Sequence, residues 1–178
     1  MNQSLASFVS AVEEGLAKKS HFSQVFSAIE LKVDDLAPYI FSVESGYTRN
    51  LVYKSSFCEV LLLCWNGVCR TPIHDHSSSD GWMHVIEGEL EERIYCPDEF
   101  KKDCPQIKPL TVRRVIRGDT SFINNDLGVH RIMHGEGRRS LSIHVYCPQI
   151  VSYQIIESEL GVKKMYQSQN HSEYGKIL

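Results

Sequence analysis

The chain has 178 residues, 42% of them hydrophobic and 23% charged, which is enough for one sizeable core and too little for two full-sized domains. Nineteen Lys and Arg against twenty-two Asp and Glu leave a net charge of −3 with no basic stripe, so nucleic acid is not an expected partner. The longest apolar run, Val60 to Trp65, falls far short of the roughly 20 residues a membrane-spanning helix needs, and no membrane association is expected.

The amino end has no basic start followed by an unbroken apolar stretch, because Glu13 and Glu14 interrupt it. A cytoplasmic location is therefore expected. In that reducing setting the six cysteines are expected as free thiols, with Cys58, Cys64 and Cys69 as small buried hydrophobes. Cys64 and Cys69 lack the tight spacing of a structural zinc knuckle. Leu5, Phe8, Val9, Val12 and Leu16 recur at three- and four-residue steps and predict an amphipathic helix over the first twenty residues. Val25, Phe26 and Ile29 suggest a second short helix. Asp34 or Asp35 is placed to cap a third, carrying Leu36, Ile40 and Phe41, with Pro38 in its first turn.

From Tyr47 the apolar period becomes two. Strands are predicted near 47–53, 57–65, 81–87, 89–95, 110–117, 119–123, 129–134, 139–146 and 151–156, with a last piece near 163–168. Gly88 separates two alternating runs and reads as a tight turn, and the proline-punctuated stretch from Cys96 to Pro109 reads as a longer connection. Many short strands after a few helices predict an all-β fold, closed or sandwiched, with helical decoration. We expect one domain over 1–178, with a helical region at 1–45, the β region at 46–168 and a tail at 169–178.

The sharpest local feature is His74-Asp75-His76, since residues two apart on a strand share a face and can offer two imidazoles to one metal. An isolated His-x-His is more often a pair of solvated or hydrogen-bonded histidines. The third member of a metal set is open on spacing alone, because His84, His130, His134 and His144 are all candidates.

The run Gly67 to Gly88 resembles the first motif of the cupin β-barrels, and TPIHDHSSSDGWMHVIEGELEE more narrowly resembles thiol dioxygenases. YTRNLV at Tyr47 to Val52, FINNDLGVHRI at Phe122 to Ile132 and SLSIHVYCP at Ser140 to Pro148 are similar to blocks of cysteine dioxygenase in the same order. The resemblance implies a cupin barrel, a double-stranded β-helix or jelly roll, with short N-terminal helices. It implies that His74, His76 and His130 hold Fe(2+), the GVHRI block selecting His130 as the third ligand. His134 is then a surface or supporting histidine, and His84 a satisfied barrel residue. Many cupins place a fourth, glutamate ligand where this chain has Gly81, which leaves metal positions open.

The resemblance also makes Arg49 the partner of a substrate carboxylate, with Tyr47 on the same face, and Ser142, His144 and Tyr146 a polar relay on one face of a strand. A planar guanidinium suits a carboxylate in a bidentate way, and three buried polar groups are tolerable if they bond one another. Cys147-Pro148 stands where the family tends to have a cis peptide. Animal members join the tyrosine matching Tyr146 to a cysteine at the position of Gly81. Glycine there implies a free tyrosine, as in bacterial members. The implied reaction is oxidation of L-cysteine by O2 to L-cysteine sulfinic acid, with 3-mercaptopropionate or another small thiol as the alternative substrate. A non-catalytic metal-binding cupin and a zinc or manganese hydrolase or isomerase are the readings from other classes. A monomer or weak homo-oligomer is expected.

Overall fold

Hydrophobic periodicity switches near residue 46, and the architecture changes there too. The computed structural model describes residues 1–18, 26, 31–96, 108–157 and 162–178. Helix α1 (Gln3–Ala17) is capped by Asn2, whose side-chain oxygen accepts the Leu5 N–H at 2.9 Å. It buries Leu5, Phe8, Val9 and Val12, each contributing roughly 1.5–3 kcal/mol by leaving water. The helix stops at Ala17, short of residue 20. The helix expected around Val25 and Ile29 lies outside the described residues apart from Phe26, which is buried with its ring centroid 5.6 Å from that of Phe8. The third is shorter than its pattern predicts: α2 (Val33–Leu36) passes into a 3₁₀ turn at Ala37–Tyr39 that contains Pro38. Its cap is Lys32, whose backbone N–H donates to Asp35 at 2.9 Å, so neither aspartate takes the capping position. Among the described residues no helix is long and apolar enough to cross a membrane.

The β region forms two sheets. The first runs β14-β13-β1-β2-β10-β5-β8. It is built from β1 (Gly46–Lys54), β2 (Glu59–Asn66), β5 (Asp80–Glu87), β8 (Thr120–Ile123), β10 (Ser140–Cys147), β13 (Ser172–Glu173) and β14 (Lys176–Ile177). The second runs β12-β11-β4-β9-β6-β7, with β3 (Cys69–Arg70) also on β9. Its strands are β4 (Ile73–His74), β6 (Glu89–Tyr95), β7 (Thr111–Ile116), β9 (Val129–His134), β11 (Ser152–Glu157) and β12 (Val162–Gln167). Pairing is antiparallel except between β1 and β13.

Two local expectations change. The segment beyond residue 168 is not a trailing tail: β13 lies on β1, pairing Asn50 with Ser172, and the Ser172 hydroxyl donates to Asn50 Oδ1 at 2.8 Å. Gly88 is not a hairpin turn either, because β5 and β6 belong to different sheets. Gly88 is a corner at φ 76°, where a side chain would run into Ser140.

β2 and β10 are buried on both faces, which explains their nearly continuous burial. One face, with Val60, Leu62, Ile143 and Val145, packs under α1. The opposite face, with Leu61, Leu63, Trp65 and Tyr146, meets Leu90, Ile132 and Tyr153 of the second sheet. The interior between the sheets is where the polar residues of β10 point.

Candidate metal centre

His74 and His130 are directly opposed across the β4–β9 pair, and His76 follows two residues after the end of β4. The alternation that puts His74 inward returns His76 to the same side. Ring centroids lie 5.2 Å apart for His74–His76, 4.7 Å for His74–His130 and 4.6 Å for His76–His130. One nitrogen of each ring falls within 4.8 Å of the others. Among the described residues this is the one cluster of three or more histidine, cysteine or acidic groups able to hold an ion.

The ring tautomers are set by the partners. His74 Nδ1 is 3.0 Å from the Pro72 carbonyl, which can only accept, so Nδ1 carries the proton and Nε2 keeps its lone pair. His130 Nδ1 is 2.8 Å from Glu92 Oε1, which fixes the same arrangement. His76 is fully buried, and neither of its ring nitrogens has a hydrogen-bond partner. A buried imidazole left without a partner costs about 1–3 kcal/mol unless something accepts its lone pair. Burial holds His74 and His76 well below the ordinary histidine range. Three inward imidazoles, two of them kept neutral and one unsatisfied by protein, fit a divalent transition metal.

The loop after β4 is pinned from several sides. The His76 N–H donates to Asn125 Oδ1 at 3.0 Å, and the Gln154 N–H donates to Asp75 Oδ1 at 2.8 Å. Asp75, between the two histidines, thus ties the loop to β11 and faces away from the cluster.

The opposite wall comes from the first sheet. Ser142, His144 and Tyr146 are buried on β10, with Ser142 Oγ 2.9 Å from His144 Nε2 and His144 Nδ1 3.2 Å from the Tyr146 hydroxyl. Trp65 Nε1, which can only donate, lies 2.9 Å from Ser142 Oγ. One direction satisfies the whole series: Trp65 donates to Ser142, Ser142 to His144 Nε2, and His144 Nδ1–H to Tyr146. The phenol hydrogen is then free to point into the cavity. Burial, aided by the charge of Arg49, pushes His144 down to about 3, and burial pushes Tyr146 up to about 12. Both are neutral across the physiological range.

Arg49 and Tyr47 project from β1 toward the same interior, and the Tyr47 ring stacks on Trp65 with centroids 4.9 Å apart. Arg49 Nη2 donates to Ser168 Oγ at 2.9 Å, while its Nε is buried without a partner. The cavity bounded by His74, His130, Tyr146 and Arg49 is small, about 20 Å³. Beside it lies an outer cleft of about 410 Å³, and the two share Tyr47, Arg49, Pro72 and Tyr153 as walls.

Gly81 stands directly opposite Tyr146 in the β5–β10 register. A Cβ there would come within 3.1 Å of the Tyr146 ring and 3.3 Å of His76, so glycine lets the phenol lie against the histidine cluster. The other histidines point elsewhere. His84 Nδ1 is 2.9 Å from Thr120 Oγ1 on the outer face of the first sheet, stacked on Phe26. His134 is buried, not on the surface, and its two nitrogens reach the carbonyls of Gly67 and Arg138 at 2.7 and 3.2 Å. The Cys147-Pro148 bond is cis.

Sequence reasoning passed over Glu92, Trp65, Tyr153 and Ser168. The Glu92 signal was present, because in the run from Glu89 to Tyr95 it falls in phase with Leu90 and Ile94 on the inward face. Burial alone would raise its carboxyl, yet His130, Ser121 and Arg113 together hold it down at about 2. Ser168 carried no such signal, since it comes to Arg49 from 119 positions away.

A sequence profile described as Cysteine dioxygenase type I matches residues 3–157. Human cysteine dioxygenase type 1 is 26% identical over 170 residues, covering 85% of this chain and 83% of that one. The rat protein of the same name is 28% identical over 154 residues, covering 85% and 76%. The zebrafish protein is 26% identical over 180 residues, covering 92% and 88%. Among solved structures, a Thermus thermophilus protein superposes with a TM-score of 0.53 at 16% identity, over 67% of this chain and 99% of its own. A Klebsiella pneumoniae protein with a double-stranded β-helix domain gives 0.52 at 15% identity, over 76% and 89%. These two likenesses establish the cupin fold, and the profile match places the chain in the cysteine dioxygenase type I family.

Proposed function

We propose that the protein is an iron-dependent thiol dioxygenase that converts L-cysteine and O2 to L-cysteine sulfinic acid. The observation that carries this reading is a cluster of three histidines, two of which, His74 and His130, line one small cavity with a guanidinium and a buried phenol. His74, His76 and His130 would hold the ferrous ion. Three neutral imidazoles leave its full double charge, which favours a thiolate over a thiol. When bound, the ion supplies a Lewis-acidic, redox-active centre at which sulfur and dioxygen are brought together.

The chain's own groups then position and enclose the substrate. Arg49, its Nη2 anchored on Ser168 and its Nε unpaired, is set to take the substrate carboxylate. Tyr146, neutral and oriented through His144, Ser142 and Trp65, offers its O–H to an oxygen or carboxylate in the cavity. The walls from Leu63, Trp65, Ile132 and Tyr153 keep bulk water out. Both atoms of O2 end on sulfur, taking the thiol to the sulfinic rung with no added reductant. Arginine at position 49 favours a thiol with a carboxylate, which disfavours cysteamine.

The test is oxygen uptake with sulfinate analysis on iron-loaded protein given L-cysteine, 3-mercaptopropionate and cysteamine in parallel. L-cysteine is expected to have the highest kcat/KM. A clear preference for 3-mercaptopropionate would reassign the substrate, and tight metal binding with no oxygen uptake for any thiol would favour a non-catalytic cupin.

A further inference from the structure

The three metal-facing imidazoles differ on their far sides. The Nδ1–H of His74 meets a neutral carbonyl, Pro72 O, at 3.0 Å. His76 meets no protein acceptor. Only His130 is backed by an anion, with Glu92 Oε1 at 2.8 Å. The Glu92 carboxylate has no exposure, so it feels little screening from water. Its two oxygens are divided between tasks. Oε2 takes both the Ser121 hydroxyl at 2.5 Å and Arg113 Nε at 2.8 Å, which leaves Oε1 to His130. The register builds this clamp: β6 lies between β7 and β9, with Glu92 opposite Arg113 on one side and Ile132 on the other, one inward position from His130.

We propose that Glu92 is a positioning residue that makes His130 the strongest electron donor of the three histidines, delivering to the metal through the imidazole ring the negative charge that a site of three neutral histidines lacks. The inference rests on the metal reading above and deepens it. A carboxylate on Nδ1–H fixes the ring plane and tautomer, and it draws the proton away so that Nε2 becomes more basic. The glutamate that many cupins use as a direct ligand is thus replaced here by one acting a ring's width further out. The site keeps its open positions and still receives part of an anion's charge.

Zinc and cobalt serve as probes, because their binding is read without turnover. Glu92→Gln is expected to weaken zinc binding about 10- to 100-fold in competition with a chelating dye. It is also expected to shift the visible bands of the cobalt-loaded protein toward a weaker ligand field. Arg113→Gln breaks the ion pair but leaves Oε1 on His130, so its zinc affinity is expected to stay close to wild type. Unchanged zinc affinity in Glu92→Gln, or equal losses in both variants, would overturn the proposal in favour of a packing role. The wild-type protein gives a second route should Glu92→Gln not fold. In the 1H–15N spectrum of the zinc-loaded chain, the His130 Nδ1 proton is expected well downfield of the His74 Nδ1 proton, and the reverse order would overturn the proposal. A wild-type chain that binds neither zinc nor cobalt overturns the metal reading itself, a failure visible before any variant is made.

Discussion

The two sheets face one cavity and arm it in opposite ways. The second sheet contributes β4, β9 and β6, whose inward groups are imidazoles backed by a fully buried carboxylate and its cationic partner Arg113. The first contributes β1, β2 and β10, whose inward groups include a series of neutral donors from Trp65 to Tyr146, the cation Arg49 and, opposite Tyr146, the buried carboxyl of Glu59. On the second sheet the groups converge on one point, so removing any one disables the rest. On the first they act in series, so removing one loosens the next donor along and is expected to leave a bound metal in place. The two walls are therefore expected to fail differently, with loss of metal on one side and loss of turnover or substrate affinity on the other.

The largest effect that tests this contrast is on the metal wall. His130→Ala is expected to reduce bound iron to background and oxygen uptake with it. Iron retained at the wild-type level would show that the third ligand is another group. Tyr146→Phe belongs to the opposite wall. It is expected to keep its iron while kcat falls roughly 10²-fold, the scale of a lost proton-donating group. Iron analysis beside steady-state kinetics separates the two outcomes, and iron loss in Tyr146→Phe would break the division between the walls.

Arg49→Gln removes a charged hydrogen bond worth roughly 1.5–3 kcal/mol, so KM for L-cysteine is expected to rise about 10- to 100-fold with iron unchanged. Ser168→Ala removes only the neutral anchor behind Arg49, worth roughly 0.5–1.5 kcal/mol, and KM is expected to rise about 2- to 10-fold. If Ser168→Ala matched Arg49→Gln, the hydroxyl would itself be contacting substrate.

These variants also mark what was legible in the sequence. Strand phase was readable: the alternation of Leu141, Ile143 and Val145 with Ser142, His144 and Tyr146 placed the two sets on opposite faces, as they are in β10. Which face is wet was not readable, because α1 and Phe26 cover the apolar side and the second sheet covers the polar one. The pair His74 and His76 was visible as a local motif, while His130 needed the resemblance, since spacing alone left four histidines open. Glu92 was in phase but anonymous, because its meaning depends on β6 lying between β7 and β9, and strand order is not written in any one strand. The two-residue β3, β4, β13 and β14 are too short to carry a period at all. Gly88 was read as a turn because a one-residue break between two alternating runs looks the same whether the chain folds back or crosses to another sheet.

The smallest effect expected is on stability. The buried His144 is held near 3, against 6.5 for the group in water, so at neutral pH neither folded nor unfolded chain is protonated there. As pH falls below 6.5 the unfolded chain takes up a proton that the folded chain refuses, and metal-free protein loses about 1.4 kcal/mol per pH unit from this group. His144→Asn is expected to remove that part of the acid sensitivity, so the gap between variant and wild type in denaturant unfolding narrows between pH 7 and 5. A gap independent of pH would show that His144 takes up its proton alike in the folded and the unfolded chain.

The central claim is that three imidazoles from the second sheet share one redox-active ion facing Arg49 and Tyr146. Anomalous diffraction from crystals of the iron-loaded protein, recorded on both sides of the iron absorption edge, tests it most directly. A single peak bonded to His74, His76 and His130, present only above the edge, is the expected result. An iron peak elsewhere in the chain, or none in protein that retains iron in solution, would contradict the account.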